Sequence, residues 1–470
     1  MNGDIVSMTD KQDNYIDNQY VNDSMPLLRI VSLGCAKNFV DTELAAASLL
    51  RAGFGLTADD DEADVLFINT CAFLLDARKE CISELKQAAK WKKQFPGRKI
   101  IVAGCLVEWD KDFVFRKDYP QVDLWVNIDS IEQIGELAAA VWNGEQPDGD
   151  FSKPAAKKYI YNENSCRLQL TPSHYAYLKI ADGCDNCCTY CMIPAIRGSL
   201  RSRTTDSVVR EAENLLASGV RELILIAQDT SAFGRERNQG KSCLAELLDR
   251  LDQLPGDFLI RLMYLHPASV DQNLLDAMAR CRHLIPCIEM PLQHVADNML
   301  EKMHRKISEQ DTRKLINTLR NKMNFAVRTT FMLGFPGETQ QDFEKLCDFV
   351  AESRFLRLGV FAFSPEKGTQ AAGFEDQVPR RIAESRRDMI MKIQQKISLE
   401  NNQALIGKTV DVILDDVPRK GKAAGRTFQD APEIDNIVMV SNVKGRQAGD
   451  FVKVRITSAM EYELHGVCVA

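Results

Sequence analysis

Residues 176–191 read AYLKIADGCDNCCTYC, an apolar run that leads through Gly183 into a loop with four cysteines. Three of them, Cys184, Cys188 and Cys191, have the spacing CxxxCxxC, and we call them the loop cysteines. Three thiolates this close can hold one face of a cube-shaped iron-sulfur cluster and leave its fourth iron open to bind a cofactor or substrate. Zinc is the main alternative, but it usually takes four ligands from paired CxxC knuckles, and no second knuckle is present. The motif therefore favours a cluster that takes part in chemistry.

Apolar runs of strand length recur after this loop and alternate with helical patterns. They are RELILIAQ (221–228), FLIRLMYL (258–265), IPCIEMPL (285–292), NFAVRTTFMLGF (324–335) and RLGVFAF (357–363). Together with AYLKIA they make six strand-helix units, which predicts an α/β fold with a full or partial parallel (β/α) barrel over residues 172–400. The active site of such a barrel lies at the C-terminal ends of its strands.

Three further cysteines end apolar runs nearer the N-terminus. Cys35, Cys71 and Cys105 close the runs LLRIVSLGC, DVLFINTC and RKIIVAGC, and we call them the strand-end cysteines. The alternation of these runs with helical patterns predicts an α/β domain with a mostly parallel sheet over residues 27–145. Because parallel strands end at a common edge, the three thiols are expected to converge there. Chance burial explains any one of them, but three equivalent positions favour a second three-cysteine cluster.

The remaining segments differ in composition from these two domains. Residues 1–26 hold several aspartates and few large apolar groups, so they predict a mobile tail. Residues 146–171 are rich in Gly, Pro and polar groups and predict a linker. Residues 401–470 contain short β-rich runs with Gly-containing turns, which predicts a small appended β-barrel.

The bulk charge argues weakly against a general nucleic-acid binder. The chain has a net charge of -7, and residues 405–470 contain nine basic and nine acidic side chains, whereas proteins that grip phosphates usually show a basic excess. No secretory signal or stretch long enough to span a bilayer stands out, so we expect a cytoplasmic protein with no membrane partner. Because a reducing cytoplasm disfavours disulfides, the 14 cysteines are expected to bind metal, act in catalysis or lie in the core.

At this point the motifs resemble a known family. The spacing of the loop cysteines resembles that of the radical S-adenosylmethionine superfamily, and its combination with the strand-end cysteines is similar to the methylthiotransferases, whose C-terminal domain is a TRAM β-barrel. The resemblance extends from Leu27 to the end of the chain. Four stretches resemble the branch that modifies ribosomal protein S12. They are IAQDT (226–230), RTTFMLGFPGET (328–339), RLGVFAFSPEKGT (357–369) and GRTFQDAPEID (425–435). The last two best distinguish this branch from those that modify tRNA.

The resemblance implies two [4Fe-4S] clusters and S-adenosylmethionine as cofactors. The cluster on the loop cysteines would cleave S-adenosylmethionine to a 5′-deoxyadenosyl radical, and the cluster on the strand-end cysteines would deliver sulfur. The implied target is the β-carbon of an aspartate in ribosomal protein S12, with a flavodoxin or ferredoxin as reductant and an unknown sulfur donor. Two alternatives stay open: the same chemistry on an adenosine of the tRNA anticodon loop, and a non-catalytic metal-binding module that docks on the ribosome.

Supporting residues are predicted at the ends of two further strands. Gln228 and Asp229 end one run and could bind the cofactor, or they could be a structural cap. Gly334 and Glu338 lie where a turn could let the cofactor approach the backbone, although an ordinary Pro-Gly turn explains them equally well. Arg197, Arg201 and Arg203 could meet the carboxylate of the methionine or be solvated, and we favour the solvated alternative. His294 could line the pocket, but we favour a core or rim position. We expect the following cysteines in the core, and Cys187 as a non-ligand: Cys81, Cys166, Cys243, Cys281, Cys287, Cys347 and Cys468.

Overall fold

The computed structural model describes residues 25–418 and 421–469. The predicted tail, residues 1–26, lies outside the described residues except for its last two positions. The described chain forms two compact units: the first contains residues 25–170, 182–185 and 192–203, and the second contains residues 171–181, 186–191 and the described residues from 204 onward.

The first unit is built on five parallel strands in the order β2-β1-β3-β4-β5. The strands are β1 (Leu27–Ser32), β2 (Gly55–Leu56), β3 (Val65–Thr70), β4 (Lys99–Gly104) and β5 (Leu124–Val126). The helices are α1 (Ala36–Arg51), α2 (Leu75–Gln94), α3 (Cys105–Trp109), α4 (Val114–Asp118) and α5 (Ile134–Trp142). Every residue of β3 is buried, as expected for a central parallel strand with apolar clusters on both faces. The predicted parallel α/β domain is confirmed.

Part of the predicted linker packs on the first unit. The amides of Leu168 and Leu170 donate to the backbone and side-chain oxygens of Glu43, and the amide of Ala155 donates to Glu108. Both glutamates are fully buried, so these contacts satisfy carboxylates that the core would otherwise leave unpaired. The segment therefore completes the unit.

The second unit contains a six-stranded parallel sheet in the order β13-β12-β11-β10-β9-β6. The strands in this part of the chain are β6 (Tyr175–Lys179), β7 (Ala181–Asp182), β8 (Arg201–Ser202), β9 (Glu222–Ile226), β10 (Leu259–Leu262), β11 (Leu284–Glu289), β12 (Ala326–Leu333) and β13 (Arg357–Ala362). The helices are α6 (Ile193–Ile196), α7 (Thr205–Ala217), α8 (Leu244–Leu251), α9 (Gln272–Arg280), α10 (Asp297–Lys302), α11 (Glu309–Asn317), α12 (Gln340–Ser353) and α13 (Arg380–Gln403). Of these elements, α6, β8 and the second residue of β7 belong to the first unit. The sheet ends at β6 and β13, so the predicted barrel is the partial form.

The C-terminal part of the second unit is a closed barrel in the order β14-β15-β16-β18-β17. Its strands are β14 (Thr409–Asp416), β15 (Lys422–Thr427), β16 (Ile437–Ser441), β17 (Phe451–Ala459) and β18 (Glu463–Val469). Alternate apolar residues of these strands, mostly valines, fill its interior. The predicted small β-barrel is confirmed. Among the described residues, no helix combines the length and apolarity that crossing a membrane requires.

Buried ion pairs join this barrel to the six-stranded sheet. Glu222, the first residue of β9, accepts from Arg261 at 2.6 Å and pairs with Arg426 at 2.6 Å. Arg261 also donates to the carbonyls of Phe428 and Asp430. All three charged side chains are buried, so each depends on the others for its partners.

We expect Glu222→Gln to lower the free energy of unfolding by about 3 kcal/mol, because it leaves two buried guanidiniums without their shared carboxylate. Burial would raise the pKa of Glu222, but Arg261 and Arg426 outweigh it and lower the pKa below its usual value. The ion pair therefore stabilises the fold above the unfolded-state pKa of about 4.3 and loses that effect as the pH falls through the folded-state pKa. Thermal unfolding at neutral and acidic pH measures both effects.

The matched control is Glu400→Gln, which breaks an exposed pair with Arg354 at 2.7 Å. Exposed pairs contribute at most about 1 kcal/mol, so this variant should unfold close to the wild-type temperature. An equal loss of stability in the two variants, or a loss in Glu222→Gln that does not shrink at acidic pH, would contradict the assignment.

Candidate iron-sulfur sites

The strand-end cysteines lie at the C-terminal ends of three adjacent strands. Cys71 follows β3 directly, Cys105 follows β4 directly, and Cys35 comes three residues after β1 and caps the start of α1. Strands β1, β3 and β4 are neighbours and parallel, so the three residues share one edge of the sheet. Cys35 keeps contact with solvent, whereas Cys71 and Cys105 are buried. The topology thus brings together the three residues as the sequence predicted.

Two glycines allow the backbones at this edge to approach closely. Gly34 has φ +100°, and a Cβ placed on it would lie 2.7 Å from the Cβ of Cys71. Gly104 has φ +96°, and its Cβ would lie 2.3 Å from Oδ1 of Asn69. Any side chain at either position would be strained and would push the strand ends apart. Each of the two glycines comes directly before a strand-end cysteine, so they allow the ends of these strands to lie close together.

The three thiols influence one another's ionisation. Burial raises the pKa of Cys71, and negative charge on Cys105 and Cys35 raises it further. Burial also raises the pKa of Cys105, against the opposing effect of Arg197. Burial alone would also raise the pKa of Cys35. The pKa of that thiol is nevertheless lowered, because the charge of Lys37, the amides at the start of α1 and the charge of Arg197 together outweigh the burial. Three thiolates at this edge repel one another, so the set fits a bound cationic group such as an iron-sulfur core.

A single metal ion fits these residues less well. Within residues 25–418 and 421–469, no group of three His, Cys, Asp or Glu side chains is placed to hold one ion. Zinc binds thiolates at about 2.3 Å and requires its ligands to be correspondingly close. The geometry of the described residues therefore gives no support to the zinc alternative.

The loop with the CxxxCxxC motif begins at a position that only glycine can occupy. Gly183 has φ +77°, and a Cβ there would lie 2.0 Å from the carbonyl oxygen of Ser199. The next amide, of Cys184, donates to the carbonyl of Gly198 at 3.0 Å. Asp185 then accepts from the amide of Leu200 at 3.0 Å. Within the first unit, residues 183–185 are thus fixed against residues 198–200.

The rest of the loop is anchored within the second unit. The side-chain amide of Asn186 donates to the carboxylate of Asp229 at 2.7 Å. The hydroxyl of Thr189 donates to the backbone carbonyl of Lys302 at 2.8 Å. Arg305 donates to the Sγ of Cys188 at 3.6 Å and to the carbonyl of Pro291 at 2.6 Å. Arg305 is buried, so it presents a fixed positive charge to this thiol. A charge-assisted hydrogen bond of this kind stabilises a thiolate ligand.

Three family models match successive parts of the chain. They are Uncharacterized protein family UPF0004 over residues 28–127, the radical SAM superfamily over residues 178–350 and the TRAM domain over residues 406–469. The first match contains the strand-end cysteines, and the second contains the loop cysteines. The predicted order of an N-terminal α/β domain, a radical SAM core and a TRAM barrel is confirmed.

Curated relatives match over nearly the whole length. The ribosomal protein uS12 methylthiotransferase RimO of Desulforamulus reducens is 40% identical over 446 residues, covering 94% of this chain and 99% of that protein. The protein of the same name from Elusimicrobium minutum is 41% identical over 437 residues, covering 93% and 98%. The chain belongs to the ribosomal protein uS12 methylthiotransferase family. The predicted family and branch are confirmed.

A distant solved structure supports the fold of this methylthiotransferase. The radical S-adenosylmethionine methyltransferase TsrM from Kitasatospora setae, solved with cobalamin and a [4Fe-4S] cluster, aligns with a TM-score of 0.51 at 14% identity. The alignment covers 72% of this chain and 75% of that one. At this identity the likeness extends to the fold alone.

Three of the four supporting residues of this methylthiotransferase, Asp229, Gly334 and Glu338, make hydrogen bonds that hold neighbouring parts of the chain. Asp229 is buried, anchors the loop through Asn186 and accepts from Ser231 at 2.5 Å, and Gln228 is the half-buried residue before it. Gly334 has φ +73° and packs against α13, and its amide donates to Glu338 at 2.7 Å. Glu338 also pairs with Arg386 at 2.6 Å. Asp229 precedes a short 3-10 turn but makes no side-chain cap hydrogen bond to it. Gly334 lies in a turn held by Glu338, and binding of the cofactor by these residues stays a prediction.

Two expectations about individual side chains were wrong. Arg197 and Arg203 are buried rather than solvated, because Arg197 meets two carboxylates and Arg203 stacks on the ring of Tyr161. Cys166 is exposed, because it lies in the irregular segment that runs over the surface of the first unit. His294 is fully buried, as expected for a core residue, and its Nδ1 accepts from the amide of Ala296. No local motif marked Arg197 or Arg305 as a partner of a cysteine.

We expect Gly183→Ala to prevent correct formation of the cysteine loop, because its Cβ would overlap the carbonyl of Ser199. Anaerobically reconstituted protein should lose about half of its iron, since one of the two cysteine sets is disrupted. The control is Gly219→Ala, whose φ of +101° is similarly unfavourable but whose Cβ would have no atom within 4 Å. Backbone strain should lower the free energy of unfolding of that variant by about 1–2 kcal/mol, and the variant should keep its iron. Equal iron contents in the two variants would contradict the role of the close approach.

Proposed function

We propose that this chain attaches a methylthio group to the β-carbon of an aspartate in ribosomal protein uS12, by radical S-adenosylmethionine chemistry with two [4Fe-4S] clusters. The observation that carries the proposal is the match of 40% and 41% identity to proteins of that name over nearly their whole length. The two cysteine sets support the same chemistry. The loop cysteines have the spacing of a radical S-adenosylmethionine enzyme, and the strand-end cysteines share one edge of a parallel sheet.

The chain's own residues would hold and orient the cofactors. When bound, a reduced cluster with S-adenosylmethionine supplies a 5′-deoxyadenosyl radical able to remove hydrogen from an unactivated carbon, which no acidic or basic side chain can do. Cys184, Cys188 and Cys191 would hold that cluster, and Arg305 would keep the thiolate of Cys188 in place. Asp229 fixes the loop through Asn186. Three ligands per cluster leave one iron open at each site for a cofactor or sulfur species.

The strand-end cysteines would hold the second cluster. Cys71 and Cys105 are buried, which keeps water from most of that site, while Cys35 lies at its open side. Exclusion of water strengthens the electrostatic contacts of bound groups and limits side reactions of a reactive sulfur species. The separation of the two sets in the sequence supports a division of labour between radical formation and sulfur transfer.

Two features favour a protein substrate over tRNA. The relatives that match nearly the whole chain are named for modification of ribosomal protein uS12. The C-terminal barrel carries equal numbers of basic and acidic side chains, so it offers no excess charge for binding phosphates.

The test compares two substrates with the same enzyme. Anaerobically reconstituted protein is incubated with S-adenosylmethionine, a reductant and either a uS12 peptide containing the target aspartate or a tRNA anticodon stem-loop. We expect the peptide alone to gain the mass of SCH3 in place of H. Modification of the stem-loop instead would replace the proposed substrate, and a zinc-loaded protein without iron or sulfide would refute the chemistry.

The cellular setting follows from the substrate and cofactors. Ribosomal protein substrates and low-potential electron carriers are found in the cytoplasm, so we place the enzyme there. A flavodoxin or ferredoxin would supply the electron for each reduction. Replacing dithionite by a purified carrier with its reductase tests this partner, and failure of both carriers to support turnover would exclude them.

A further inference from the structure

Within the first unit, Arg197 contacts Cys105 and also Asp182, which lies two residues before Cys184. It follows α6, six residues after Cys191, and its side chain is 3% exposed. One terminal nitrogen, Nη2, lies 3.3 Å from the Sγ of Cys105 and 3.0 Å from Oδ1 of Asn38. The other, Nη1, lies 2.6 Å from Asp41 and 3.2 Å from Asp182. A buried arginine with a thiol and two carboxylates as partners is held in one orientation.

The two carboxylates belong to elements next to the cysteines. Asp41 is on α1, the helix that Cys35 caps, and Asp182 accepts from the amide of Gly183, the residue before Cys184. The residue after Arg197, Gly198, accepts from the amide of Cys184. Contacts of Arg197 and its neighbours therefore reach a ligand of each set.

We propose that Arg197 is a positioning residue for the cluster on the strand-end cysteines: it donates a hydrogen bond to the Cys105 thiolate and raises the reduction potential of that cluster. The inference rests on the proposed function, because it takes Cys35, Cys71 and Cys105 as cluster ligands.

The physical reason lies in the charge that reduction adds. Reduction puts one more negative charge on the cluster and its thiolates, and hydrogen bonds to the sulfurs and nearby positive charge stabilise that state. Arg197 supplies both, since its N–H points at a ligand sulfur and its charge is buried beside it. Asp41 acts in the opposite direction, because its carboxylate pairs with Arg197 at 2.6 Å and offsets part of the positive charge beside Cys105. The two side chains should therefore shift the potential in opposite directions.

The experiment isolates this cluster in the full-length chain. A background variant with Cys184, Cys188 and Cys191 all replaced by alanine leaves only the strand-end cysteines to hold iron. Arg197→Gln, Arg197→Lys and Asp41→Asn are made in that background, reconstituted anaerobically and titrated with dithionite while the reduced cluster is followed by electron paramagnetic resonance. We expect Arg197→Gln to lower the midpoint potential and Asp41→Asn to raise it. Arg197→Lys keeps the positive charge but loses the planar guanidinium that donates to several partners at once. Its midpoint potential should therefore lie between those of Arg197→Gln and the background variant.

The control is Arg98→Gln, which removes another buried arginine of the same unit. Arg98 donates to the carbonyls of Trp91 and Asp61 and lies just before β4, at the opposite end of the strand from Cys105. Its loss should leave the midpoint potential unchanged even if it destabilises the fold.

The outcomes separate this inference from the function on which it rests. A background variant that binds no iron would refute the ligand assignment itself. A background variant that binds about four irons, with unchanged potentials in Arg197→Gln and Asp41→Asn, would overturn the role of Arg197 alone. Shifts of the same sign in both variants would also overturn it, since general loosening of the site does not depend on the sign of the charge removed. If Arg197→Gln does not fold, Arg197→Lys and Asp41→Asn still decide the matter through the sign of their shifts.

Discussion

We expect a Cys188→Ala variant to form no 5′-deoxyadenosine above background when it is reconstituted and given S-adenosylmethionine with a reductant. Cys188 is one of the three proposed ligands in the CxxxCxxC motif, and with only two thiolates left the proposed cluster would have no stable protein site. The substitution also removes the sulfur that Arg305 contacts, so a buried guanidinium loses one of its acceptors. Product analysis by chromatography and mass spectrometry, together with iron content, measures the loss.

Cys187→Ala is the matched control, because Cys187 lies in the same loop, next to Cys188, and is exposed. Its thiol is off the ligand spacing, so this variant should keep both its iron and its rate of S-adenosylmethionine cleavage. Comparable loss of 5′-deoxyadenosine in the two variants would mean that the loop, rather than one ligand, had been damaged. Full activity in Cys188→Ala would refute the ligand assignment.

The fold and the placing of the strand-end cysteines at one sheet edge could be predicted from the sequence because both depend on local patterns. Apolar runs ending in cysteine indicated parallel strands, and parallel strands necessarily end at one edge of their sheet. The structure places Cys71 and Cys105 directly after β3 and β4 for that reason. The CxxxCxxC spacing likewise needs no tertiary information, since three ligands within eight residues are brought together by the loop itself.

The side chains that support the cysteines could not be predicted in this way. Arg305 and Cys188 are 117 residues apart, and Arg197 and Cys105 are 92 residues apart. An isolated arginine in a sequence is most often solvated, and only its burial beside a thiol reveals another role. Contacts at this separation depend on how whole elements pack, which no local pattern records.

The two stretches that most resembled the S12-modifying branch also make long-range contacts that their sequences did not reveal. Residues 357–369 and 425–435 were useful as a resemblance, but their sequences did not reveal that Arg357 pairs with Asp430. Arg328 pairs in the same way with Asp435, so the second stretch holds the C-terminal barrel against the six-stranded sheet. In this chain the two stretches therefore have a structural role that their sequences alone did not show.

We expect Cys71→Ala to keep the cleavage of S-adenosylmethionine and to lose transfer of the methylthio group to the uS12 peptide. Cys71 directly follows β3 in the first unit, at the sheet edge that it shares with Cys35 and Cys105. Its loss leaves the strand-end set with two thiolates, so iron should fall by about half while the loop cysteines keep theirs. Parallel assays of 5′-deoxyadenosine and of peptide mass measure the two activities.

The control for Cys71→Ala is Cys81→Ala, because Cys81 is fully buried behind it and exchanges two hydrogen bonds with the Cys71 backbone. If packing around Cys71 were all that mattered, both variants would lose sulfur transfer to a similar degree. If Cys71 is a ligand, Cys81→Ala should retain transfer and both clusters, with only a small loss of stability. A Cys71→Ala protein that still transferred sulfur at the normal rate would show that the strand-end cysteines hold no catalytic cluster, since removal of one of three ligands cannot leave such a site intact.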